Sequence, residues 1–222
     1  MQFNDDLIKF QRDGFLVKDA TIPQSLFADF DRQVNNSWQS GKNWITRIKG
    51  IGEAKSFPLQ SGDKVKQIGA LLDDYSKYDP KGFYYLFHSL QEEDDSSFLI
   101  KKIKAEMLAA WEDYILRLVS TPYTTHFSLT SYTSFCRLSP HTDYSTKNNP
   151  YRLALLLYFG NSQEDISTAP LYFSFREKKH CIEPQKNRSV LFIPTPETLH
   201  WIEQVPNDGT LSARLAFSGW LI

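Results

Sequence analysis

Cysteine is scarce in this chain. Only Cys136 and Cys181 occur among 222 residues. Two thiols allow one disulfide by arithmetic but exclude the dense framework of a small secreted scaffold, so free thiols in a reducing cytoplasm are expected. Long apolar runs are also missing. The longest, Leu153 to Phe159, suits a buried strand and falls far short of the roughly 18 residues that a membrane-spanning helix needs. The first six residues, Met1 to Asp6, lack a basic segment followed by an apolar one, so no secretory signal is expected. An excess of either charge is absent as well: 25 basic against 26 acidic residues leave a net charge of -1. That balance supplies no electrostatic reason to expect nucleic acid, a membrane surface or a polyanion as partner, and favours a small-molecule substrate. There is no internal repeat and no low-complexity tract.

The hydrophobic fraction of 41% and the aromatic fraction of 14% belong to a globular protein. The length suits a single domain, 1–222, with 1–122 supplying helical support and substrate-side loops and 123–222 a β-core. Asn4 or Asp5 caps an expected short helix through Arg12, closed by Gly14 and followed by a strand at Phe15-Leu16-Val17. Pro23 opens a second helix with Leu26, Phe27, Phe30 and Val34 on one face. Residues 40–80 read as loops, short strands and a helix near Val65 to Tyr75. An aromatic stretch follows at Gly82 to Leu90. The acidic cluster Glu92 to Asp95 precedes a long helix from Ser97 to Val119, where negative charge favours the positive end of the helix dipole. Beyond Pro122, strands are expected at 125–135, 152–159, 171–175, 189–193, 199–205 and 211–221, with turns at prolines and at Asn207-Asp208-Gly209. Such spacing suggests a sandwich or jelly roll.

One constellation carries chemistry. In His141-Thr142-Asp143, residues two apart on a strand share a face, so imidazole and carboxylate can converge on one ion. His200 lies on another expected strand. Two imidazoles and one carboxylate with open positions form the facial triad of non-haem Fe(II) oxygenases. An isolated His-x-Asp is weak, since a surface His–Asp hydrogen bond accounts for it equally well. Further along, Arg214 stands inside the apolar strand 212–217, where a permanent guanidinium charge needs an anion. It either closes a structural salt bridge or clamps the distal carboxylate of 2-oxoglutarate bidentately. Tyr132, nine residues before His141, is either core or a second donor to that carboxylate. Pro140 stiffens the approach to His141.

Taken together, Tyr132 to Asp143 (Tyr-Thr-Ser-Phe-Cys-Arg-Leu-Ser-Pro-His-Thr-Asp) resembles the Y-x8-H-x-D segment of the prolyl-hydroxylase-like Fe(II)/2-oxoglutarate-dependent oxygenases. The resemblance continues through Arg152 to Phe159, Ile182-Glu183-Pro184, Val190-Leu191-Phe192, Leu199 to Val205 and Arg214 to Trp220. It therefore covers about residues 123–222, and more loosely Phe10 to Pro23. It implies an α+β, mainly β fold: a double-stranded β-helix (jelly roll, cupin-like) with supporting N-terminal helices. It also implies that His141, Asp143 and His200 bind Fe(II), that Arg214 anchors 2-oxoglutarate with Tyr132, and that Tyr158 is a second contact to the co-substrate. Dioxygen completes the reaction, with ascorbate as a candidate reductant. The implied chemistry is hydroxylation of an unactivated C–H bond with release of succinate and CO2.

Several positions depart from the prolyl hydroxylases. Arg214 stands where they usually carry lysine, Ala169-Pro170 replaces a Gly-Gly pair, and the glycine-rich turn upstream of the ligands is missing. A prolyl substrate is accordingly not implied. Asp143 is retained where related halogenases have a small residue, which favours hydroxylation. Trp220 occupies the place of the second arginine of nucleic-acid demethylases.

Three readings stand: a small-molecule hydroxylase acting on an amino acid or natural-product intermediate, a peptidyl hydroxylase, and a cupin-like protein that is non-catalytic or uses another metal. The sequence sets no oligomeric state. His88 is expected in the core or a pocket wall, His126 and His180 as ordinary residues, Cys136 and Cys181 as buried thiols, and Trp201 in the core. Tyr84 and Tyr85 are candidates for a lid, and Tyr144, Lys147 and Arg152 for substrate contacts.

Overall fold

The computed structural model describes residues 2–91, 97–119, 122–144, 151–159, 169–206 and 213–222. Helix α1 (Gln2–Asp13) leads into strand β1 (Phe15–Lys18), and α2 (Gln24–Ser40) follows. Neither Asn4 nor Asp5 caps α1, because the helix already begins at Gln2. Gly14 does close it: φ is 80°, and a β-carbon there would sit 2.6 Å from the Phe175 ring. Only glycine satisfies both conditions. Strands β2 (Ile45–Lys49) and β3 (Lys55–Pro58) form a hairpin, α3 spans Gly62–Tyr78, and β4 covers Tyr85–Gln91. The expected long helix is two, α4 (Ser97–Ala110) and α5 (Glu112–Leu118), broken at Trp111. Trp111 is buried, and its indole donates to Ser189 Oγ at 3.0 Å. That tertiary contact overrides the helical periodicity across 97–119. The acidic cluster 92–95 and the Asn207-Asp208-Gly209 turn lie outside the described residues.

The remaining strands are β5 (Thr125–Tyr132), β6 (Arg137–His141), β7 (Leu153–Phe159), β8 (Leu171–Phe175), β9 (Lys178–Ile182), β10 (Ser189–Phe192), β11 (Leu199–Ile202) and β12 (Arg214–Leu221). Strand β9 was not expected, and β6 starts upstream and ends at His141, so Asp143 lies beyond the strand on which the pair was expected to stand. Pro140 argues against a strand by the usual rule. Lys178-Lys179-His180 is too polar for a core strand, but among the described residues β9 pairs only with β8 and so forms an edge, where charge is at home.

The path β1-β10-β7-β12-β5-β4-β6-β11-β8-β9 folds into a jelly roll, with every pairing antiparallel. Strand β4 joins the two halves: His88 to Gln91 pair with β5, while Tyr85 and Leu86 pair with β6. Its other edge carries β2. Strict alternation sorts the side chains. Phe127 and Leu129 of β5, Leu155 and Leu157 of β7, and Leu215 and Phe217 of β12 pack with the helices in one core. Tyr132, Ala154, Tyr158 and Ala216 point the other way, into a second core with Phe192 of β10 and with Phe173 of the smaller sheet. Strand β7 is buried on both faces, which is why it reads as an unbroken apolar run. Among the described residues no helix is long and apolar enough to cross a membrane.

Candidate metal centre

His141 is the last residue of β6, and His200 the second of β11. They are direct cross-strand partners, with ring centroids 4.2 Å apart. Asp143 follows two residues beyond His141. One ligand atom from each of the three lies within 4.8 Å of the others. The Asp143 carboxylate sits 3.4 Å from His141 Nε2 and 3.6 Å from His200 Nε2. Ligands held roughly 2.1 Å from one ion at right angles are separated by about 3 Å, so the three fit a shared cation after a small closure.

The imidazole orientations are set by backbone. His141 Nδ1 lies 2.9 Å from the Ser139 carbonyl, and His200 Nδ1 3.5 Å from the Thr198 carbonyl. A carbonyl can only accept, so each Nδ1 carries the proton and each Nε2 lone pair faces the centre. Charge is sorted in the same sense. Burial pushes the Asp143 carboxyl up, but His141, His200 and the Trp220 indole outweigh it and hold the group below the ordinary carboxylate range. Burial, reinforced by His141, lowers His200 to about 4, which leaves it neutral near pH 7. One anion and a neutral imidazole of this kind are what a divalent cation takes as ligands.

Two features of the centre escape sequence reasoning. Trp220 Nε1 donates to Asp143 Oδ2 at 2.7 Å, and its ring stacks on Tyr151 at 4.8 Å and on His126 at 6.0 Å. The available signal was strand alternation, which puts residues 214, 216, 218 and 220 on one face. Phe83 packs on His141 at 4.7 Å and starts an aromatic series through Tyr85 and Phe87 to Tyr132, at 5.5, 5.3 and 5.6 Å. Tyr84 turns the other way and is buried, so of the two lid candidates only Tyr85 faces the centre.

Arg214 opens β12 opposite Tyr132 of β5. Its guanidinium carbon lies 5.1 Å from the Tyr132 ring and 4.9 Å from that of Tyr158. The residue is 8% exposed, yet neither Nε nor Nη2 has a partner among the described residues. Among the described residues the buried Tyr158 hydroxyl makes no hydrogen bond of good geometry either, although Arg214 lies close enough to act on it. Burial raises both phenols, with Arg214 pulling the other way, so both stay O–H donors. A buried, permanently charged fork with open donors is a cradle for a carboxylate, and among the described residues no protein carboxylate occupies it.

Other expectations fare unevenly. His88 is buried, hydrogen-bonded to Thr46 and Thr133, and lines a cavity of about 600 Å³ facing away from the metal centre. His180 lies against Phe15 and 4.0 Å from Asp13. Cys136 is a buried free thiol, but Cys181 is exposed, because it sits on the edge strand β9. Trp201 is only half-buried and stacks on Tyr172 across the outer face of the smaller sheet; it is not core. Tyr144 is 45% exposed beside Asp143, and Lys147 lies outside the described residues.

Residues 127–222 match the profile of the 2OG-Fe(II) oxygenase superfamily, whereas no curated protein sequence matches the chain. Among solved structures, the fold resembles a prolyl hydroxylase from Trichoplax adhaerens in complex with a hypoxia inducible factor oxygen degradation domain peptide fragment. There the TM-score is 0.63 at 16% identity, over 99% of this chain and 88% of that one. The epimerase SnoN of nogalamycin biosynthesis, a non-haem α-ketoglutarate-dependent protein, gives 0.60 at 10% identity over 99% and 81%. A Pseudomonas putida prolyl-4-hydroxylase gives 0.57 at 11% identity over 98% and 97%. Identities this low speak for the shared fold alone. The profile match spans β5 to β12 and so includes the His–Asp–His cluster and Arg214. Through residues 127–222 this chain is thus similar to the 2OG-Fe(II) oxygenase superfamily, a family of enzymes that use Fe(II), 2-oxoglutarate and O2.

Proposed function

We propose that the protein hydroxylates an unactivated C–H bond of a small molecule, with His141, Asp143 and His200 as the iron ligands and Arg214 as the anchor of 2-oxoglutarate. The observation that carries this reading is the Arg214 guanidinium, buried between Tyr132 and Tyr158 with two donor nitrogens unpaired among the described residues. Leaving a buried charge without a counter-ion costs several kcal/mol. A diacid co-substrate removes that cost when it binds. Bound iron and 2-oxoglutarate supply the oxidising chemistry, with succinate and CO2 as by-products.

The chain's own groups have separable tasks. His141 and His200 present Nε2, each held by a backbone carbonyl behind it. Asp143 brings the negative charge, and Trp220 fixes the plane of its carboxylate. Arg214 takes the distal carboxylate in its open donors, with Tyr132 and Tyr158 as flanking walls and O–H donors. Phe83, Tyr85 and Phe87 form an apolar wall beside His141 that excludes water and packs a compact organic substrate.

The test is anaerobic absorption spectroscopy of the protein with Fe(II) and 2-oxoglutarate. A weak visible charge-transfer band is expected, and Arg214→Gln should raise the half-saturating 2-oxoglutarate concentration on the order of 10- to 100-fold. His200→Ala should abolish the band. A protein that binds zinc and gives no band with iron would instead be a cupin-like binder. A mass increase of one oxygen on a partner protein, with no small-molecule turnover, would make the peptidyl reading the correct one.

A further inference from the structure

The face that carries Arg214 carries a second arginine, Arg47. Cross-strand register places Arg47 of β2 beside Phe87 of β4, and Tyr132 of β5 beside Arg214 of β12. His88 pairs with Ser131, so Phe87 and Tyr132 are neighbours across the β4–β5 boundary, and their rings stack at 5.6 Å and 18°. The four residues therefore form one row across the sheet: cation, aromatic, aromatic, cation. Three strand steps of roughly 4.8 Å separate the two arginine α-carbons by about 14 Å.

Arg47 is only partly committed to the protein. Its Nε donates to Ser89 Oγ at 2.8 Å, which fixes the guanidinium against the same sheet face. Among the described residues neither Nη has a hydrogen-bond partner, and no carboxylate pairs with the side chain. Lys49, two residues on, adds positive charge opposite Tyr85, with its Nζ donating to the Gly52 carbonyl at 2.8 Å. From this end the aromatic wall runs Phe87, Tyr85, Phe83 and then His141. An arginine tethered through one nitrogen presents its two Nη groups as a planar fork, a shape that matches a carboxylate.

We infer that Arg47 receives the carboxylate of the substrate to be oxidised, which is therefore a small organic acid whose hydrocarbon part lies along Phe87, Tyr85 and Phe83 toward the metal centre. This rests on the proposed iron and 2-oxoglutarate site, and it divides two acids between two arginines. Arg214, buried and flanked by tyrosines, takes the co-substrate, and the more accessible Arg47 takes the substrate.

A matched panel tests it. Protein loaded with Fe(II) and 2-oxoglutarate is exposed to air with small amino acids and with aryl and alkyl carboxylic acids. Each acid is run beside its primary amide and a phosphate analogue, and succinate is measured. The stimulating compounds are expected to be acids, with amides at least about tenfold weaker in kcat/KM. Arg47→Gln, which retains a donor for Ser89, should raise KM for the acid on the order of 10- to 100-fold and change kcat by less than about threefold. Arg47→Lys should recover part of that loss. The melting temperature and the 2-oxoglutarate dependence of the charge-transfer band should be unchanged in both variants. Equal use of acid and amide, preference for the phosphate, an unaltered KM in Arg47→Gln, or no acid that stimulates succinate release would each overturn the inference. If the wild-type band itself is missing, the iron and 2-oxoglutarate reading has failed first.

Discussion

Trp220 contributes one hydrogen bond, but it acts on the carboxylate of the proposed metal site. Its indole donates to Asp143 Oδ2 while Tyr151 and His126 hold the ring on both faces. Partners behind a ligand typically alter metal affinity 10- to 100-fold. Trp220→Phe keeps the stacking and removes only the N–H, so Fe(II) affinity should fall by about that factor while the melting temperature of the metal-free protein stays nearly constant. Fe(II) titration beside thermal melts reads both quantities. At this scale much of the site was legible. His141 and Asp143 share a short segment, and His200 and Arg214 follow in a recognisable order. Trp220 was noticed only as a position lacking an arginine. Its bond spans 77 residues of sequence, and no local pattern reports a contact of that range. Arg47 went unremarked for the same reason, since an arginine in Ile45-Thr46-Arg47-Ile48 looks like an ordinary solvent-facing strand residue until the register is known.

Elements meet at junctions that few residues secure. Asn187 has a positive φ of 59°, and its buried side chain accepts from Ile22 N at 2.9 Å and donates to Ile22 O at 2.7 Å. With Thr21 N on its own carbonyl, it ties the loop before α2 to the turn before β10. Asn187→Leu strands two buried backbone groups and places a γ-branched side chain at positive φ, so a loss of about 2–4 kcal/mol is expected in urea unfolding. Phe217, fully buried on the helix side of β12 and stacked on Phe127 at 4.9 Å, should lose about 3–5 kcal/mol on truncation to alanine. Strong periodicity made α2, β5, β7, β10 and β12 legible, because one buried face dictates their sequence. The break at Trp111, the span of β6 and the strand β9 were not. Each is imposed by a partner far away in the chain, against the local preference of its own residues.

For the whole molecule, acid stability has an identifiable contributor remote from the metal ligands. Burial lowers His88 from 6.5 to about 4. The unfolded chain therefore takes up a proton near pH 6.5 that the folded chain refuses until about pH 4. Stability is intact above pH 6.5 and falls as pH drops through that window, by at most about 3 kcal/mol from this residue. Urea midpoints of the metal-free protein at pH 7 and pH 4.5 should differ less in His88→Gln than in wild type. Metal binding acts in the opposite sense. A ligand at 100 times its dissociation constant stabilises by about 2.7 kcal/mol, so stripping iron with EDTA should lower the melting temperature by roughly 5–10 °C. His141 and His200 carry this further, since they face each other across β6 and β11 although 59 positions separate 141 from 200. An ion held by both would close that stretch into a ring in the folded chain, and since it binds the folded chain alone it would add its binding free energy to stability. The two cysteines stay unjoined. On the proposed reading the chain's fastening is an exchangeable clasp, set by iron supply, and opening it for release of the metal and opening the barrel are coupled events.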